Sequence, residues 1–130
     1  MKRVKWLDRS VAAPGPRLTL CITEDAYKDA CKQLGIDSSH PWIAGPTADA
    51  TAHVIDSNVG VTVIVCISGW EGRDPIEVCG MLIHEAVHVW QEHIALIGEK
   101  NPGNEQEAYA IQMISQNLLE SFAEQTRGLV

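Results

Sequence analysis

The chain has 130 residues, enough for one domain of ordinary size with little room for a second. Hydrophobic residues make up 45% of the chain and charged residues 21%, which excludes intrinsic disorder and collagen-like or disulfide-dense scaffolds. The formal net charge is -7, from 17 acidic and 10 basic residues. This excess of acid argues against a nucleic-acid partner, because phosphate binding requires clustered positive charge.

The basic residues are concentrated at the start of the chain. Residues 1–20 hold five bases and one acid, a net charge of +4, which leaves -11 for the remainder. We treat residues 1–16 as a basic N-terminal arm, either loose or an ordinary solvated terminus. Residues 17–130 are then expected to form the single folded domain.

We expect no export signal and no membrane segment. The first thirty residues lack the uninterrupted apolar run of a secretory signal, and Pro14-Gly15-Pro16 would break a helix there. The most apolar helical stretch, residues 76–97, contains three glutamates and three histidines, which a bilayer span would not tolerate. A cytoplasmic location follows as the expectation. The four cysteines form no C-x-x-C pair and lie in apolar runs, so we expect reduced core thiols, although an even number also permits disulfides.

The first third of the chain predicts a strand followed by a helix. Residues 17–22 are typical of a short strand. Thr23 is expected to cap a helix whose first turn is acidic, and Gly35 is expected to end it. Residues 36–49 are rich in proline, glycine, serine and aspartate, and we expect an irregular loop.

A hairpin is expected next. Residues 50–55 and 60–67 are rich in β-branched side chains and are separated by four residues of turn character. The second of these strands is nearly all apolar, which indicates burial on both faces.

Two helices complete the predicted fold. Asp74-Pro75-Ile76-Glu77 supplies an N-cap, a proline at the first helical position and a glutamate three residues after the cap. This helix is expected to continue to about Ile97, with Gly98 ending it, and a last helix to run from Glu105 to about Arg127. The order β-α-β-β-α-α predicts an α+β fold in which a small sheet packs on the buried main helix and on the C-terminal helix.

The main helix carries His84-Glu85-Ala86-Val87-His88, the H-E-x-x-H pattern. Histidines four residues apart differ by about 40° around a helix, so both imidazoles project from one face and can occupy adjacent corners of a tetrahedral zinc site. Glu85 lies about 100° from His84, which suits a general base that reaches a water beside the metal. Because the surrounding helix is apolar and buried ionisable groups need partners, a divalent cation explains the pattern better than an accidental polar stripe.

A catalytic zinc site has three protein ligands, so one more is required. Glu107 lies within about 60° of the apolar stripe of the last helix that must pack inward, formed by Ile111, Ile114, Leu118 and Phe122. Glu105 lies about 160° away on the polar face and is the weaker candidate. The alternative role for Glu107 is a capping box with Asn104, which would occupy the same side chain.

On these residues the chain resembles a zincin metallopeptidase of the gluzincin kind, in which H-E-x-x-H on one helix is joined by a glutamate from a following helix. It is similar to the compact versions found among bacterial and phage proteins. The resemblance covers about residues 60–127 and implies a minimal zincin-like fold with zinc as cofactor. It also implies His84, His88 and Glu107 as metal ligands and Glu85 as catalytic base. The implied activity is hydrolysis of a peptide or protein substrate by metal-activated water.

Two other functions stay open. One is a catalytically inactive zincin-like module for metal binding or interaction, because no counterpart of the family's transition-state-stabilising histidine or tyrosine can be assigned. The other is an antitoxin-like or virion structural protein in which the motif is accidental. The side chains considered as oxyanion donors are Tyr109, His53, His93 and Arg73. Helical angles of about 160° and 180° count against Tyr109 and His93.

Three further side chains have open roles. Gln91, one turn beyond His88, either hydrogen-bonds that ligand or is an ordinary exposed residue. Trp90 is expected in the core, whereas Trp70 either walls a substrate pocket or packs structurally. A free edge in the predicted hairpin would allow a peptide substrate to add by main-chain pairing.

Overall fold

The structure is a computed structural model, and it describes residues 3–7, 16–37, 40–43, 49–57 and 60–128. These residues form three strands and three helices. In chain order the elements are β1 (Arg17–Cys21), α1 (Glu24–Leu34), β2 (Ala50–Ser57), β3 (Gly60–Ile67), α2 (Pro75–Ile97) and α3 (Asn104–Thr126). The predicted α+β class and element order are confirmed.

The ends of α1 and α2 are set by local side-chain chemistry. The Thr23 hydroxyl accepts a hydrogen bond from the Ala26 N–H at 3.1 Å, and Gly35 ends α1 in the left-handed conformation with φ 69°. The Asp74 carboxylate accepts from the Ile76 N–H at 2.9 Å and begins α2. Gly98 closes α2 in the same left-handed way, with φ 77°. These caps are the ones that the sequence predicted.

The start of α3 differs from the capping box considered for it. The helix begins at Asn104, one residue before the predicted start, and its N-cap is Gly103, which has no side chain to accept a hydrogen bond. The Glu107 N–H donates to the Gly103 carbonyl at 2.9 Å. The Asn104 capping box is therefore wrong, and the Glu107 carboxylate is not used as a cap.

The sheet places β3 between the other two strands, in the order β1-β3-β2. β1 runs parallel to β3, with Leu20 opposite Val65, and β2 runs antiparallel to β3, with Ala52 opposite the same Val65. Residues 63–67 of β3 are fully buried. The predicted hairpin and the burial of its second strand are both confirmed, and β2 extends two residues further than predicted.

Helices cover both faces of the sheet. On one face, α2 and α3 pack on a core that includes Leu20, Val65, Leu82, Val89 and Leu118. On the other, α1 packs with a smaller cluster that includes Tyr27, Cys31 and Ile64. A fully buried leucine or valine stabilises the fold by about 1.5–3 kcal/mol, so the first cluster fixes the position of α2 relative to the sheet.

The cysteines belong mainly to the smaller cluster. All four are free thiols; Cys21, Cys31 and Cys66 are buried, and Cys79 on α2 is half-buried. A hydrogen bond with Cys21, together with burial, raises the pKa of the Cys66 thiol. The expectation of reduced core thiols is confirmed for the three buried residues.

The described part of the N-terminal arm, residues 3–7, lies against β1 and α1. The Leu7 N–H donates to the Leu18 carbonyl at 2.9 Å, and the Val4 N–H donates to the Asp29 carboxylate at 3.0 Å. These bonds connect the start of the chain to the domain. Residues 8–15 lie outside the described residues.

The burial of α2 is one-sided. Leu82, Ala86 and Val89 are fully buried, whereas Ile83 and Ile97 are 43% and 50% exposed. The main helix is therefore buried along one face, because three strands and one partner helix do not cover the whole of a 23-residue helix. In the described part of the chain, no helix combines the length and the apolar character needed to cross a membrane.

His93 is a buried polar side chain of α2 with a ring nitrogen that is unpaired in the described part of the chain. His93 is 4% exposed, and its Nδ1 has no hydrogen-bond partner among the described residues. Its ring lies 6.0 Å from that of Trp90. Loss of solvation lowers the pKa of His93, since burial disfavours the charged imidazolium.

We expect His93 to make the fold sensitive to acid. Its folded-state pKa is below the unfolded value of about 6.5, so the unfolded chain binds more protons as the pH falls through that value, and stability is lost. A His93→Leu variant should lack this loss. Urea unfolding measured from pH 8 to pH 5 should show the stability difference between variant and wild type growing below about pH 6.5 and staying constant above pH 7.5. Parallel stability curves over the whole range would contradict the assignment.

Candidate functional site

His84 and His88 form a close pair on the exposed face of α2. Their Nε2 atoms are 3.1 Å apart, and their rings meet edge to face with centroids 4.7 Å apart. Both side chains are exposed because they lie on the side of the helix opposite the buried residues. The helical spacing thus produces the paired imidazoles that the sequence predicted.

The separation of the two nitrogens fits a shared metal ion. A tetrahedral zinc ion with Zn–N bonds of 2.0–2.1 Å holds two nitrogen ligands about 3.3–3.4 Å apart. The separation in this structure, 3.1 Å, is shorter by only a few tenths of an ångström. In this structure the two nitrogens share a hydrogen bond, so binding of one cation by both would need small side-chain adjustments and transfer of the shared proton from His84 Nε2.

Gln91 orients one member of the pair. Its Oε1 lies 3.1 Å from His88 Nδ1. An amide oxygen only accepts hydrogen bonds, so this network assigns the ring proton to Nδ1 and leaves the Nε2 lone pair directed at His84. The hydrogen bond considered for Gln91 is confirmed, and its effect is to hold His88 in the tautomer that binds a metal through Nε2.

Glu85 lies beside the pair but on the buried side of the helix. Only 6% of the residue is exposed. Burial raises the pKa of its carboxyl above the usual range, and nearby His84 and His88 partly oppose this effect. A carboxyl group shifted in this direction is better suited to exchanging protons near neutral pH than an ordinary surface glutamate.

A groove runs between α2 and β2 past these three side chains. It consists of two adjoining cavities of about 410 and 330 Å³, both lined by His84, Glu85 and Ala50. Ala52 and Val54 continue the β2 wall. The groove is open because the residues that β2 turns towards α2 are mostly alanines, which leave the space between helix and strand unfilled.

The β2 wall of this groove is also an edge of the sheet. The Ser68 N–H donates to the Asp49 carbonyl at 2.9 Å, continuing the β2–β3 ladder in which Asp49 takes a hydrogen-bonded position. Because such positions alternate along an antiparallel pair, Ala50, Ala52 and Val54 direct their backbone N–H and C=O groups away from β3. No strand of the described ranges lies on that side of β2. The edge open to an incoming strand is therefore the one that borders the histidine pair.

Glu107 lies at a different place from the pair. Its carboxylate accepts a hydrogen bond of 2.9 Å from the indole Nε1 of Trp90, and the residue is exposed in the first turn of α3. Trp90 is buried in the core as predicted, about 160° around α2 from His88. Within the described ranges, no group of three or more histidine, cysteine, aspartate or glutamate side chains is arranged to hold a metal ion. Glu107 as third ligand thus stays a prediction from the sequence.

The weaker candidate, Glu105, is exposed in the first turn of α3. The side chains considered as oxyanion donors are dispersed: Tyr109 is 62% exposed on α3, and His93 is buried. His53 stacks on Tyr27 on the face of the sheet opposite α2. None of these three lines the groove.

Arg73 is the oxyanion candidate that comes nearest to the groove. Its guanidinium donates to the carboxylate of Asp49, which lines one end, at 3.2 Å. Trp70 has a structural role, since its indole N–H donates to the Ile22 carbonyl at 3.3 Å and its ring meets Phe122 edge to face. The suggestion that Trp70 walls the pocket therefore has no support in this geometry.

The sequence reasoning missed two features of the groove. Glu92 lines it beside His88, and Ala50 and Ala52 create its width. Glu92 could have been found from its spacing, because it follows His88 by four residues on the same helix face. The alanines could not, since their importance depends on β2 lying against α2.

Comparison of the chain with protein-family models, with curated proteins and with solved structures found no match. The side chains of the groove and their geometry are therefore what supports a function for this chain.

Proposed function

We propose that this protein is a zinc-dependent metallopeptidase that hydrolyses peptide bonds. The observation that carries the proposal is the 3.1 Å separation of the His84 and His88 Nε2 atoms, next to the buried Glu85 in a groove along an open strand edge. Paired imidazoles suit a metal ion, and the strand edge suits an extended peptide.

His84 and His88 would hold the metal through Nε2, with Glu107 as the third ligand on the strength of the resemblance to gluzincins. Two imidazoles and one carboxylate are a donor set that suits zinc. When bound, zinc supplies Lewis-acid polarisation of the scissile carbonyl and lowers the pKa of water towards ~7.

The protein's own residues perform the remaining tasks. Glu85 accepts a proton from the attacking water and delivers it to the departing amine, a role favoured by its raised pKa. Gln91 fixes the His88 ring through Nδ1. The outward backbone groups of Ala50, Ala52 and Val54 would pair with the main chain of the substrate and hold the scissile bond beside Glu85.

A second candidate is a zincin-like module that binds metal or a partner without turnover. It is favoured by the dispersal of Tyr109, His53 and His93 away from the groove, which leaves these side chains unable to stabilise an oxyanion there. Metal binding is common to both candidates, so hydrolysis is the property that separates them.

The purified protein should bind about one zinc per chain, measured by elemental analysis after dialysis against zinc. His84→Ala and His88→Ala should each abolish stoichiometric binding, because each removes one of the two paired nitrogens. Gln91→Ala should weaken zinc affinity roughly 10- to 100-fold through loss of ring orientation. His40→Ala, an exposed histidine of another segment, is the matched control and should bind as the wild type does. Zinc stoichiometry unchanged in both paired-histidine variants would exclude this metal site.

The third ligand is tested by comparing zinc affinities of three single variants. Glu107→Ala should weaken affinity by at least 100-fold, whereas Glu105→Ala on the exposed polar face should change it little. Glu92→Ala is included because Glu92 is the acid that the structure places in the groove with both histidines. A loss confined to the Glu105 or the Glu92 variant would reject Glu107 and identify the ligand instead.

Glu85→Gln should separate metal binding from chemistry. The amide cannot take the proton from water, so hydrolysis of any accepted peptide should fall by at least 100-fold while zinc stoichiometry stays at about one. Peptide cleavage is followed by mass spectrometry, with Glu120→Gln, an exposed acid of α3, as the control for loss of a negative charge. Cleavage at the wild-type rate would remove Glu85 from the mechanism.

A further inference from the structure

The groove has an uneven distribution of charge along its length. At the end near the start of β2, Asp49 is bound by both terminal nitrogens of Arg73 at 3.2 Å, a cation that it shares with Glu77. At the other end, Glu92 lines the groove beyond His88. No ion pair of Glu92 is found within the described ranges. Among the described residues, Asp49 therefore has a counter-ion, whereas Glu92 has none.

A second acid, Asp56, follows on β2 two residues beyond Val54, the last β2 residue that lines the groove. Side chains alternate between the two faces of a strand, so Asp56 lies on the same face of β2 as Ala52 and Val54, which line the groove. Asp56 is exposed and, like Glu92, has no ion pair in the described part of the chain. We call Glu92 and Asp56 the acidic end of the groove.

Two independent features indicate that the groove receives a peptide. Its β2 wall offers outward backbone groups at Ala50, Ala52 and Val54, which are what a strand-like ligand pairs with. Its floor contains the Glu85 carboxyl, which is 6% exposed and has no hydrogen-bond partner among the described residues. This carboxyl can therefore form a hydrogen bond with a ligand.

We propose that the acidic end selects peptides that carry a lysine or arginine two or three residues before the cleaved bond. This inference rests on the proposed peptidase function and adds the substrate class. Cationic side chains are the complement of two uncompensated carboxylates, and such charge complementarity acts mainly on specificity.

The position of the basic residue follows from the direction of pairing. The existing partner of β2 is antiparallel, and antiparallel pairing is the more stable kind, so the substrate is placed antiparallel to β2. β2 passes the histidines at Ala50 and reaches the acidic end at Val54 and beyond, so the substrate runs the opposite way and meets the acidic end first. Glu92 lies one turn past His88, about 6 Å along α2, which equals roughly two strand residues of 3.3 Å.

The test uses a peptide library made by cutting a proteome with a glutamate-specific protease, so that lysine and arginine stay inside the peptides. The zinc-loaded wild-type protein should cleave these peptides. Lysine or arginine should be enriched about fivefold at the positions two or three residues before the cleaved bond. Glu92→Gln should lose most of this enrichment, and Glu92→Lys should shift it towards aspartate and glutamate. Glu120→Gln, an acid outside the groove, should keep the wild-type profile.

A binding measurement checks the same inference without turnover. A cleaved library peptide and its lysine-to-alanine form are labelled, and their binding to the Glu85→Gln variant is followed by fluorescence anisotropy. The lysine form should bind about fivefold more tightly at low salt, and this advantage should shrink at 0.5 M salt and in the Glu85→Gln/Glu92→Gln double variant.

The outcomes distinguish the selectivity for basic peptides from the peptidase function on which it rests. Cleavage without basic enrichment, or enrichment unchanged by Glu92→Gln, would overturn the selectivity and leave the peptidase function standing. Loss of zinc binding by Glu92→Gln would make Glu92 a metal ligand and would also overturn its role in selectivity. Absence of cleavage by the zinc-loaded wild type would overturn the peptidase function and the selectivity together. Enrichment on the carboxyl side of the cleaved bond would overturn the antiparallel placement on which the stated position depends.

Discussion

The site depends on the rotation of α2 about its own axis. Leu82, Ala86 and Val89 are fully buried against the sheet and α3, and this burial fixes which way the helix faces. With that rotation, His84 and His88 lie on the exposed side of the helix, and Glu85 lies at the edge of the core. A shift of one residue in the helical phase is a rotation of about 100°, which in one direction would bury both imidazoles and in the other would expose the carboxyl. The packing of these apolar side chains therefore determines which polar side chains of α2 line the groove.

The open edge of β2 must also be protected from unwanted pairing with other chains. Unpaired backbone groups on an edge strand invite pairing with other chains, and proteins commonly limit this with charge. Here Asp56 and Glu92 supply like charges along the edge, and the net charge of -7 makes copies of the chain repel one another. These acids therefore disfavour edge-to-edge association of the protein with itself.

The sequence predicted most of the fold because the signals involved are local. Thr23, Gly35, Asp74 and Gly98 act on the backbone within four residues, and all four end or begin helices as expected. The pairing of His84 and His88 is equally local, since helix geometry alone brings them together. The groove was not predictable in this way. It depends on the strand order β1-β3-β2, which places β2 against α2, and on the small size of Ala50 and Ala52, which means nothing until that neighbour is known.

The hydrogen bond between Glu107 and Trp90 could not be predicted from the sequence. The helical angle of Glu107 correctly indicated the side of α3 that faces α2, but its contact with Trp90 spans 17 residues and depends on how the two helices cross. A hydrogen bond to a charged carboxylate contributes about 1.5–3 kcal/mol, whereas zinc binding at structural sites is worth about 10–16 kcal/mol. Because Trp90 lies about 160° around α2 from His88, a Glu107 carboxylate held by that indole lies away from the paired histidines. Ligation of a shared metal by Glu107 would therefore require the Trp90 hydrogen bond to be released, an exchange for which metal binding supplies more than enough free energy.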